Sequence, residues 1–386
     1  MTVFSHDQGA TNLSFATALT VYSLFYMIGQ FISGYCSDRF GAKIVVACGI
    51  LLITGANIAM GFFTNILFFS IFMALNGLGQ STGWSGLVKL VSNHYKHEEL
   101  GITMSWWTTC YVVGGFIAVI FATFWATNHN ILPFLGWKRI FWAPAIVLSV
   151  IGIIFIIMPV LPNKMTVKEE KALKTLKIRQ EGKQPSYFIK TISSSAIWIA
   201  ALTYFFIKFK RYALLFWLPL YLTQRLKYTT EVSGYTSSLF EIFGFAGVLI
   251  AGYVSDKLYS SRRFPIACIM MFCLFLIMII HPYLSLLGYW GTFSAIALIG
   301  LFLYGPDSII SGAMAVDLGK EAAATTAGFI NGVGSVGAII SPMVVSVVAD
   351  KYGWDMLFKI FVFTSLASSV LLSLKWNFEK KNSVTV

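Results

Sequence analysis

The sequence predicts an all-α membrane protein that crosses the bilayer many times. Of its 386 residues, 57% are hydrophobic and only 11% are charged, and the mean hydropathy is +0.75. A soluble domain carries about 25% charged residues, so much of this apolar surface needs lipid around it. Apolar stretches of about 20 residues, the length that spans a bilayer, also recur along the whole chain. We count eleven, at 13–36, 44–63, 66–90, 101–127, 138–161, 194–222, 233–254, 264–286, 288–315, 323–349 and 355–376.

The charged residues lie mainly in the connections between these stretches and indicate how the chain is oriented. The connection 162–190 contains eight basic and three acidic residues, whereas 127–136 and 281–288 are nearly uncharged. Basic loops stay on the cytoplasmic side of a membrane. Alternation then places these further connections on the same side: 38–43, 89–99, 256–263, 317–321 and the tail after Leu374. We therefore expect an external N-terminus, a cytoplasmic C-terminus and a location in the cell (inner) membrane.

The composition argues against several functional classes. The net charge of +12 comes mostly from short loops, which favours membrane orientation over nucleic-acid binding. The five cysteines lie in apolar segments without a CxxC pair, so we expect neither disulfides nor metal ligands. The histidines lie in loops or at segment ends, and the sequence has no glycine loop followed by Lys-Ser/Thr. We predict no enzyme activity, no cofactor, no metal and no cleavable signal peptide.

The basic connection divides the chain into two halves with related sequences. We predict an N-terminal bundle of five helices at 1–161, a cytoplasmic linker at 162–193 and a C-terminal bundle of six helices at 194–386. The sequence GYCSDRFGAK at 34–43 follows the first apolar segment, and GYVSDK at 252–257 follows the seventh. Internal repeats are typical of transporters, in which the substrate path lies at the interface between the repeats.

Three cations, Lys208, Lys210 and Arg211, lie close to the middle of the sixth apolar segment. A charge at that depth costs about 3 kcal/mol, so such residues normally face a bundle interior or a water-filled cavity. We therefore predict an anion site inside a transport path. The alternative is that these long side chains snorkel toward a helix end. Lys208 and Arg211 share a helix face, whereas Lys210 lies about 100° around the helix from Arg211.

The repeated motif carries a family resemblance. Gly-x-x-x-Asp-[Arg/Lys]-x-Gly-x-[Arg/Lys] on an inner loop resembles the signature loop of the major facilitator superfamily, which has a two-bundle architecture. The resemblance implies a conformational latch, in which Asp38 caps and pairs with cations at the cytoplasmic helix ends. A solvated turn is the alternative. The latch residues expected on this basis are Gly34, Asp38, Arg39, Gly252, Asp256 and Lys257.

Within that superfamily, the chain resembles the organophosphate:phosphate antiporters, which include glycerol-3-phosphate and hexose-phosphate transporters. The stretches that carry this resemblance are 79–84, 208–221, 305–306 and 322–328, followed by Gly332, Gly334 and Gly337. The family has twelve helices, and the match begins at the loop before the second helix, which GATNLS at 9–14 fits. We expect the first helix to be missing through an upstream start codon or a truncation. A true eleven-helix protein is the alternative.

The resemblance implies roles for the buried charges. Arg211 matches the arginine with which the family's second half binds the phosphoryl group, and its first-half counterpart would lie on the missing helix. A guanidinium suits this role because its planar fork donates to two phosphate oxygens. Lys208 and Lys210 are expected to assist, with pairing to a buried acid as the alternative. Glu241 matches a family glutamate and Asp307 lies outside the pattern. Both acids would neutralise the cations when the site is empty, or carry protons.

Polar and aromatic helix faces supply further candidates for substrate contact. The candidates are Tyr22, Tyr26 and Gln30 at i, i+4 and i+8, Trp107 and Tyr111 at i and i+4, and Asn331 near the glycines of the penultimate helix. The family often has lysine where Gln30 stands, and its glycerol-3-phosphate members have histidine where Tyr111 stands. Such faces can stack on a sugar ring, and they are also ordinary in helix packing.

The function implied by the resemblance is secondary transport. A sugar phosphate or glycerol phosphate would exchange for inorganic phosphate while the two halves rock about a midplane site. Exchange would be obligatory if the carrier cannot change conformation while its cationic site holds no anion. A membrane sensor of sugar phosphate and a proton-coupled carrier of another organic anion are the alternatives. The expected partners are the phosphorylated substrate, inorganic phosphate and the lipid bilayer, with no nucleic acid and a monomeric state.

Overall fold

The computed structural model describes residues 12–62, 65–95, 97–110, 113–114, 117–118, 121, 124–125, 133–159 and 187–378. Within these residues the regular structure is helical, and no strand occurs among them. The helices are α1 (Asn12–Phe40), α2 (Ala42–Met60), α3 (Ile66–Ser92), α4 (Leu100–Thr108), α5 (Arg139–Ile157), α6 (Tyr187–Ile192), α7 (Ser195–Gln224), α8 (Thr230–Tyr253), α9 (Arg263–Leu286), α10 (Tyr289–Ile309), α11 (Ala315–Gly319), α12 (Ala323–Tyr352) and α13 (Trp354–Ser373). Turns of π-helix follow α8 and α10, at Val254–Leu258 and Ile310–Met314.

The predicted all-helical, multi-pass architecture is confirmed. Seven stretches of the described residues are long and apolar enough to cross a bilayer, and one of them, Tyr289–Tyr352, joins the predicted segments 288–315 and 323–349. Helices α1 and α7 coincide with two further predicted segments. The fourth segment, 101–127, begins as α4, and most of its remaining residues lie outside the described part.

Local sequence explains several helix boundaries. Gly41, Gly288 and Gly353 each stand immediately before a helix with φ of 98°, 81° and 81°, a conformation that glycine adopts without a Cβ clash. At the start of α3, the Asn65 side chain accepts a hydrogen bond of 2.8 Å from the backbone N–H of Leu67. This cap satisfies a backbone donor that has no partner within the helix.

Packing contacts group the residues into two units. The first unit comprises 1–96, 122–195 and 318–329, and the second comprises 97–121, 196–317 and 330–386. The predicted division at the central linker stays a prediction. In the first unit, Gly77 of α3 lies against the backbone of Tyr22 and Tyr26 in α1, and Gly79 lies against Gly49 of α2. Side chains at these glycines would collide with the facing backbone, so they allow the close helix approach common in membranes.

In the second unit, glycines again bring the helices together. Gly247 of α8 lies against the backbone of Leu301 in α10, and Gly300 of α10 lies against the backbone of Phe240 in α8. Gly337 of α12 lies against the backbone of Phe205 in α7. These close contacts let short polar side chains of α10 and α12 reach the charged residues of α7.

Candidate functional site

The three cations of α7 lie on two different faces of the helix, as helical geometry requires. Residues three apart lie on one face of a helix, whereas neighbours are turned by about 100°. Lys208 and Arg211 accordingly face α12 and α10, where their partners are Asn331 and Asp307. Lys210 points elsewhere, with its ammonium group against α13. Lys208 and Arg211 thus lie one turn apart on α7 with separate partners, and their joint role in substrate binding stays a prediction.

Arg211 forms an ion pair with Asp307. Its Nη1 lies 2.8 Å from Asp307 Oδ2, and the two side chains are 18% and 3% exposed. The other carboxylate oxygen, Asp307 Oδ1, is buried and has no hydrogen-bond partner within the described residues. A buried acceptor without a partner costs about 1–3 kcal/mol, more when it is charged. This oxygen is therefore the least satisfied atom of the pair.

Tyr304 links the arginine to the second acid. The centre of the Tyr304 ring lies 4.4 Å from Arg211 Cζ, within the range of a cation–π contact. The Tyr304 hydroxyl donates a hydrogen bond of 2.6 Å to Glu241 Oε1. Glu241 thus reaches Arg211 through the tyrosine. Tyr304 was not among the predicted site residues, although its spacing of three residues from Asp307 indicates a shared helix face.

A small cavity opens beside this ion pair. Its volume is ≈ 10 Å³, close to the minimum for one water molecule. It is lined by Thr108, Thr109, Arg211, Phe245, Val248, Tyr304 and Asp307. Thr108 also accepts a hydrogen bond of 3.1 Å from Ser308, which ties α4 to α10 at this point. The two threonines were not predicted, since hydroxyls in apolar helices often bond only to their own backbone.

Lys208 is buried among neutral hydrogen-bond partners. Its Nζ donates to Asn331 Oδ1 and, at 3.2 Å, to Ser335 Oγ on α12. The Tyr204 ring centre lies 5.1 Å from the same nitrogen. The acid considered as a partner for Lys208 is not among these contacts in the described residues. The amide of Asn331 therefore holds the ammonium group one turn away from Arg211.

Lys210 lies apart from this group. It is 0% exposed, and its Nζ donates a hydrogen bond of 3.1 Å to Ser365 Oγ on α13. The Ser365 hydroxyl in turn donates to the Phe361 backbone carbonyl. The position of Lys210 on a different face from Arg211 agrees with the 100° turn between adjacent residues.

Two of the candidates on α1, Tyr22 and Tyr26, belong to the first unit and lie at a separate polar network. Tyr22 stacks on Tyr26, with ring centres 6.2 Å apart, and donates a hydrogen bond of 2.9 Å to Gln80. Gln80 donates to Asn76, and Asn76 donates to Asn57 at 2.8 Å. These amides come from α2 and α3 and have no local sequence signal. The network holds the Tyr22 hydroxyl in place on the α1 surface.

The remaining candidates for substrate contact differ in how far the structure describes them. Gln30 is 0% exposed, and both its amide atoms lack a hydrogen-bond partner within the described part of the chain. Trp107 lies in α4 and is half-buried. Tyr111 lies outside the described residues.

Asp38, in the first copy of the repeated motif, lies at the start of α12. Its carboxylate accepts hydrogen bonds of 2.6 Å from both the backbone N–H and the hydroxyl of Thr325, and one of 3.3 Å from the N–H of Ala324. It also pairs with Lys89 at 2.5 Å. The adjacent Arg39 is exposed and donates to the Tyr35 hydroxyl. An acid at a helix N-terminus satisfies free N–H groups and the helix dipole together.

Asp256, in the second copy, makes the equivalent contacts at the start of α4. Its Oδ2 accepts a hydrogen bond of 2.7 Å from the backbone N–H of Ile102, and its Oδ1 pairs with Arg263. Arg263 also pairs with Asp317 at 2.9 Å, and all three side chains are almost fully buried. The next residue, Lys257, is exposed.

Glycines precede both acids at close helix contacts. Gly34 lies against the backbone of Ala324 in α12, and Gly252 lies against the backbone of Gly101 beside Ser105 in α4. A Cβ atom at either glycine would displace the helix that the acid caps. The glycine and the acid of each motif thus act on the same helix start.

A larger cavity, ≈ 460 Å³, lies at the ends of α7, α9 and α13. Its walls include Tyr221, Arg225, His281, Asp355 and Lys359. None of the residues predicted to bind substrate lines it. Cavity volume alone would therefore place a binding site here and not at the charged residues of α7. We favour the charged residues of α7 as the site, because buried charges in membrane helices usually mark a functional site.

The comparison with protein families decides the class of this chain. Residues 1–342 match the Major Facilitator Superfamily. The chain belongs to this superfamily. Two superfamily structures share its fold: the proton:xylose symporter XylE bound to 6-bromo-6-deoxy-D-glucose, with a TM-score of 0.73 and 14% identity, and FucP in the outward conformation, with 0.72 and 13%. They cover 98% and 97% of this chain, which covers 89% and 93% of theirs.

Similar sequences in the superfamily carry names of phosphate-ester transporters. The glycerol-3-phosphate transporter of Bacillus subtilis is 28% identical, over 98% of this chain and 87% of the relative. A probable hexose phosphate transport protein of Chlamydia trachomatis is also 28% identical, over 91% and 80%. The glucose-6-phosphate exchanger SLC37A2 of Mus musculus is 24% identical, over 90% and 76%. These names agree with the resemblance to organophosphate:phosphate antiporters that the motifs indicated.

Proposed function

We propose that this protein is a secondary transporter, not an enzyme, that exchanges a sugar phosphate or glycerol phosphate for inorganic phosphate. The observation that carries the proposal is the arrangement of Arg211, Lys208 and Asp307: two buried cations one helical turn apart, one of them held by an acid. Superfamily membership and the similarity to transporters of phosphorylated sugars and glycerol support the substrate class.

Arg211 would be the principal phosphate ligand. Its guanidinium can donate to two phosphate oxygens at once and remains charged when it is desolvated. One of its nitrogens donates to Asp307, so an incoming phosphoryl group has to compete with that carboxylate. The competition makes the site selective for strong anions, because a neutral sugar offers no charge with which to displace the acid.

Lys208 would supply the second positive charge. Its ammonium donates to Asn331 and Ser335, which are neutral and therefore easier to give up than an ion pair. A dianionic phosphate beside both cations balances their charge inside a region of low dielectric. Asn331 can then orient the lysine or contact the substrate directly.

Transport would follow alternating access, with a midplane site exposed to each side in turn. Asp38 and Asp256 would stabilise one of the two conformations, because each carboxylate neutralises a cation and caps a helix start. The basic loops favour a cytoplasmic C-terminus. We further propose that the protein lies in the inner cell membrane as a monomer. Tyr22, Tyr26, Gln30, Trp107 and Tyr111 stay candidates for the organic part of the substrate.

Efflux of labelled phosphate tests the substrate class. Proteoliposomes containing the purified full chain are loaded with radiolabelled phosphate and diluted into glucose 6-phosphate, glycerol 3-phosphate, glucose or sulfate. We expect one or both phosphate esters to release label, and neither glucose nor sulfate to do so. Binding of a phosphate ester without any release would contradict transport and indicate a sensor.

A further inference from the structure

Asp307 neutralises Arg211 inside the second unit. The carboxylate is 3% exposed and forms its ion pair at 2.8 Å within a small cavity. Without this acid, an empty site would hold the arginine at the same depth beside the neutral face of Tyr304. A desolvated guanidinium with no counter-ion strongly opposes any rearrangement that carries it through the low-dielectric interior. The pair with Asp307 removes that barrier, because it is neutral as a whole.

Substrate binding at Arg211 removes the ion-pair partner of Asp307. When a phosphate oxygen replaces Oδ2 at Arg211, Oδ2 loses its cation, and Oδ1 already has no partner in the part of the chain that is described. An unpaired buried carboxylate next to a phosphate dianion is strongly unfavourable. Uptake of one proton removes this charge, so the total charge of the site changes by one negative unit on loading rather than two.

The groups that face Asp307 are consistent with this exchange of partners. On α7 they are Arg211, Lys208 and Tyr204, and on its own helix Tyr304. Glu241 on α8 lies behind Tyr304, whose hydroxyl donates to it. On α4 the facing group is the hydroxyl-bearing Thr108. The cavity that Asp307 lines has room for about one water, the smallest carrier of a proton.

We propose that Asp307 is an internal counter-anion that lets the carrier return empty, so that the protein performs net, proton-linked uptake of phosphate and its esters in addition to exchange. The inference rests on the proposed function of the same site. The proton enters with the substrate from the same side, resides on Asp307 while the loaded carrier crosses, and leaves when Arg211 pairs again with the carboxylate. No bond of the substrate is made or broken.

Two assays on the same proteoliposomes test this inference. Exchange is the uptake of labelled phosphate into vesicles that contain phosphate, and net uptake is the same measurement in vesicles that contain only a phosphate-free buffer. The membrane potential is clamped, and the external pH is lowered relative to the interior. For the wild type we expect both activities, with net uptake accelerated by external acid.

Asp307→Asn separates the two activities. It keeps an acceptor for Arg211 but no charge, so net uptake should fall by more than about tenfold. Exchange should persist with a KM for phosphate lower by about tenfold, because the competing carboxylate is gone. Asp307→Glu restores the charge and should recover part of the net uptake.

Asp355→Asn is the matched control. This acid is 67% exposed and pairs with Arg225, and both activities should stay at wild-type level. Phosphate itself titrates identically in all variants, so their difference isolates Asp307.

The possible outcomes discriminate between the two proposals. Wild-type exchange without net uptake would overturn the counter-anion inference and leave the proposed exchange intact. Net uptake in Asp307→Asn at the wild-type rate, or equal loss of both activities in that variant, would also overturn it. Absence of wild-type exchange would overturn the proposed function, and the inference with it.

Discussion

Asp38 and Asp256 make the same structural contact in two separate units. Asp38 accepts the third backbone N–H of α12, from Thr325, and Asp256 accepts the third backbone N–H of α4, from Ile102. Each also pairs with a cation, Lys89 in one case and Arg263 in the other. A repeat recognised only as a short sequence motif thus corresponds to a repeated helix cap supplied by another part of the chain.

Asp38→Asn should destabilise the start of α12. The amide retains shape but loses the charge that Lys89 and the N–H groups of Ala324 and Thr325 stabilise. We expect a loss of about 2 kcal/mol, the size of a charge-assisted hydrogen bond, and slower exchange. Thermal unfolding in detergent and the exchange rate both measure this. Asp350→Asn, at an exposed acid of the same helix, serves as control, and a variant with unaltered unfolding and exchange would contradict the capping role.

Two ion pairs of the second unit should differ sharply in their contribution to stability. Arg263 is fully buried with Asp256 and Asp317, so Arg263→Gln leaves two buried acids without a cation and should cost about 3–5 kcal/mol. Arg225 and Asp355 are 52% and 67% exposed. The hydrogen bonds that Arg225 donates to the Asp355 carboxylate raise the pKa of its guanidinium, but solvent screens the pair.

Arg225→Gln should therefore cost less than about 1 kcal/mol. Thermal unfolding of both variants under one condition measures the contrast. Equal shifts in the unfolding temperature would show that burial does not govern these pairs.

Tyr304 should contribute to phosphate affinity through its ring. Tyr304→Phe keeps the ring over Arg211 and removes only the hydrogen bond to Glu241, whereas Tyr304→Leu removes the ring as well. A desolvated cation–π contact is worth about 1–2 kcal/mol, so the KM for phosphate should rise about tenfold in the leucine variant. A smaller rise is expected for phenylalanine. The idea fails if phenylalanine and leucine raise the KM equally, since the hydroxyl alone would then matter.

Lys208→Gln should weaken phosphate binding without abolishing exchange. The amide can still bond to Asn331 and Ser335, so the local packing survives while one positive charge is lost. We expect the KM for phosphate to rise by about tenfold to a hundredfold, as for loss of a charge-assisted contact. Lys359→Gln, at an exposed cation of α13, is the matched control. An unchanged KM would remove Lys208 from the site.

The hydropathy of the chain predicted the helices because the bilayer sets their length. Predicted segments such as 264–286 and 355–376 coincide with α9 and α13 to within a few residues. Helical spacing likewise placed Lys208 with Arg211 and turned Lys210 away from them. These features depend only on periodicity and length, which are local properties of a sequence.

The partner of each buried charge could not be predicted in the same way. Arg211 pairs with Asp307, 96 residues further along the chain, whereas Glu241 is hydrogen-bonded to Tyr304. Lys208 takes neutral partners from α12. The pairing of buried charges depends on which helices pack together and on how deep in the membrane each residue lies. From the sequence alone, either acid within an apolar segment could have been the partner.

Exchange of labelled phosphate by Arg211→Gln tests the central claim most directly. The variant keeps hydrogen-bonding capacity but loses both the charge and the guanidinium fork, and Arg225→Gln makes the same substitution at an exposed site beyond the end of α7. Both proteins and the wild type are reconstituted at equal density into vesicles loaded with phosphate. The account predicts wild-type exchange in Arg225→Gln and a loss of more than about a hundredfold in Arg211→Gln. Exchange by Arg211→Gln at the wild-type rate and KM would contradict it.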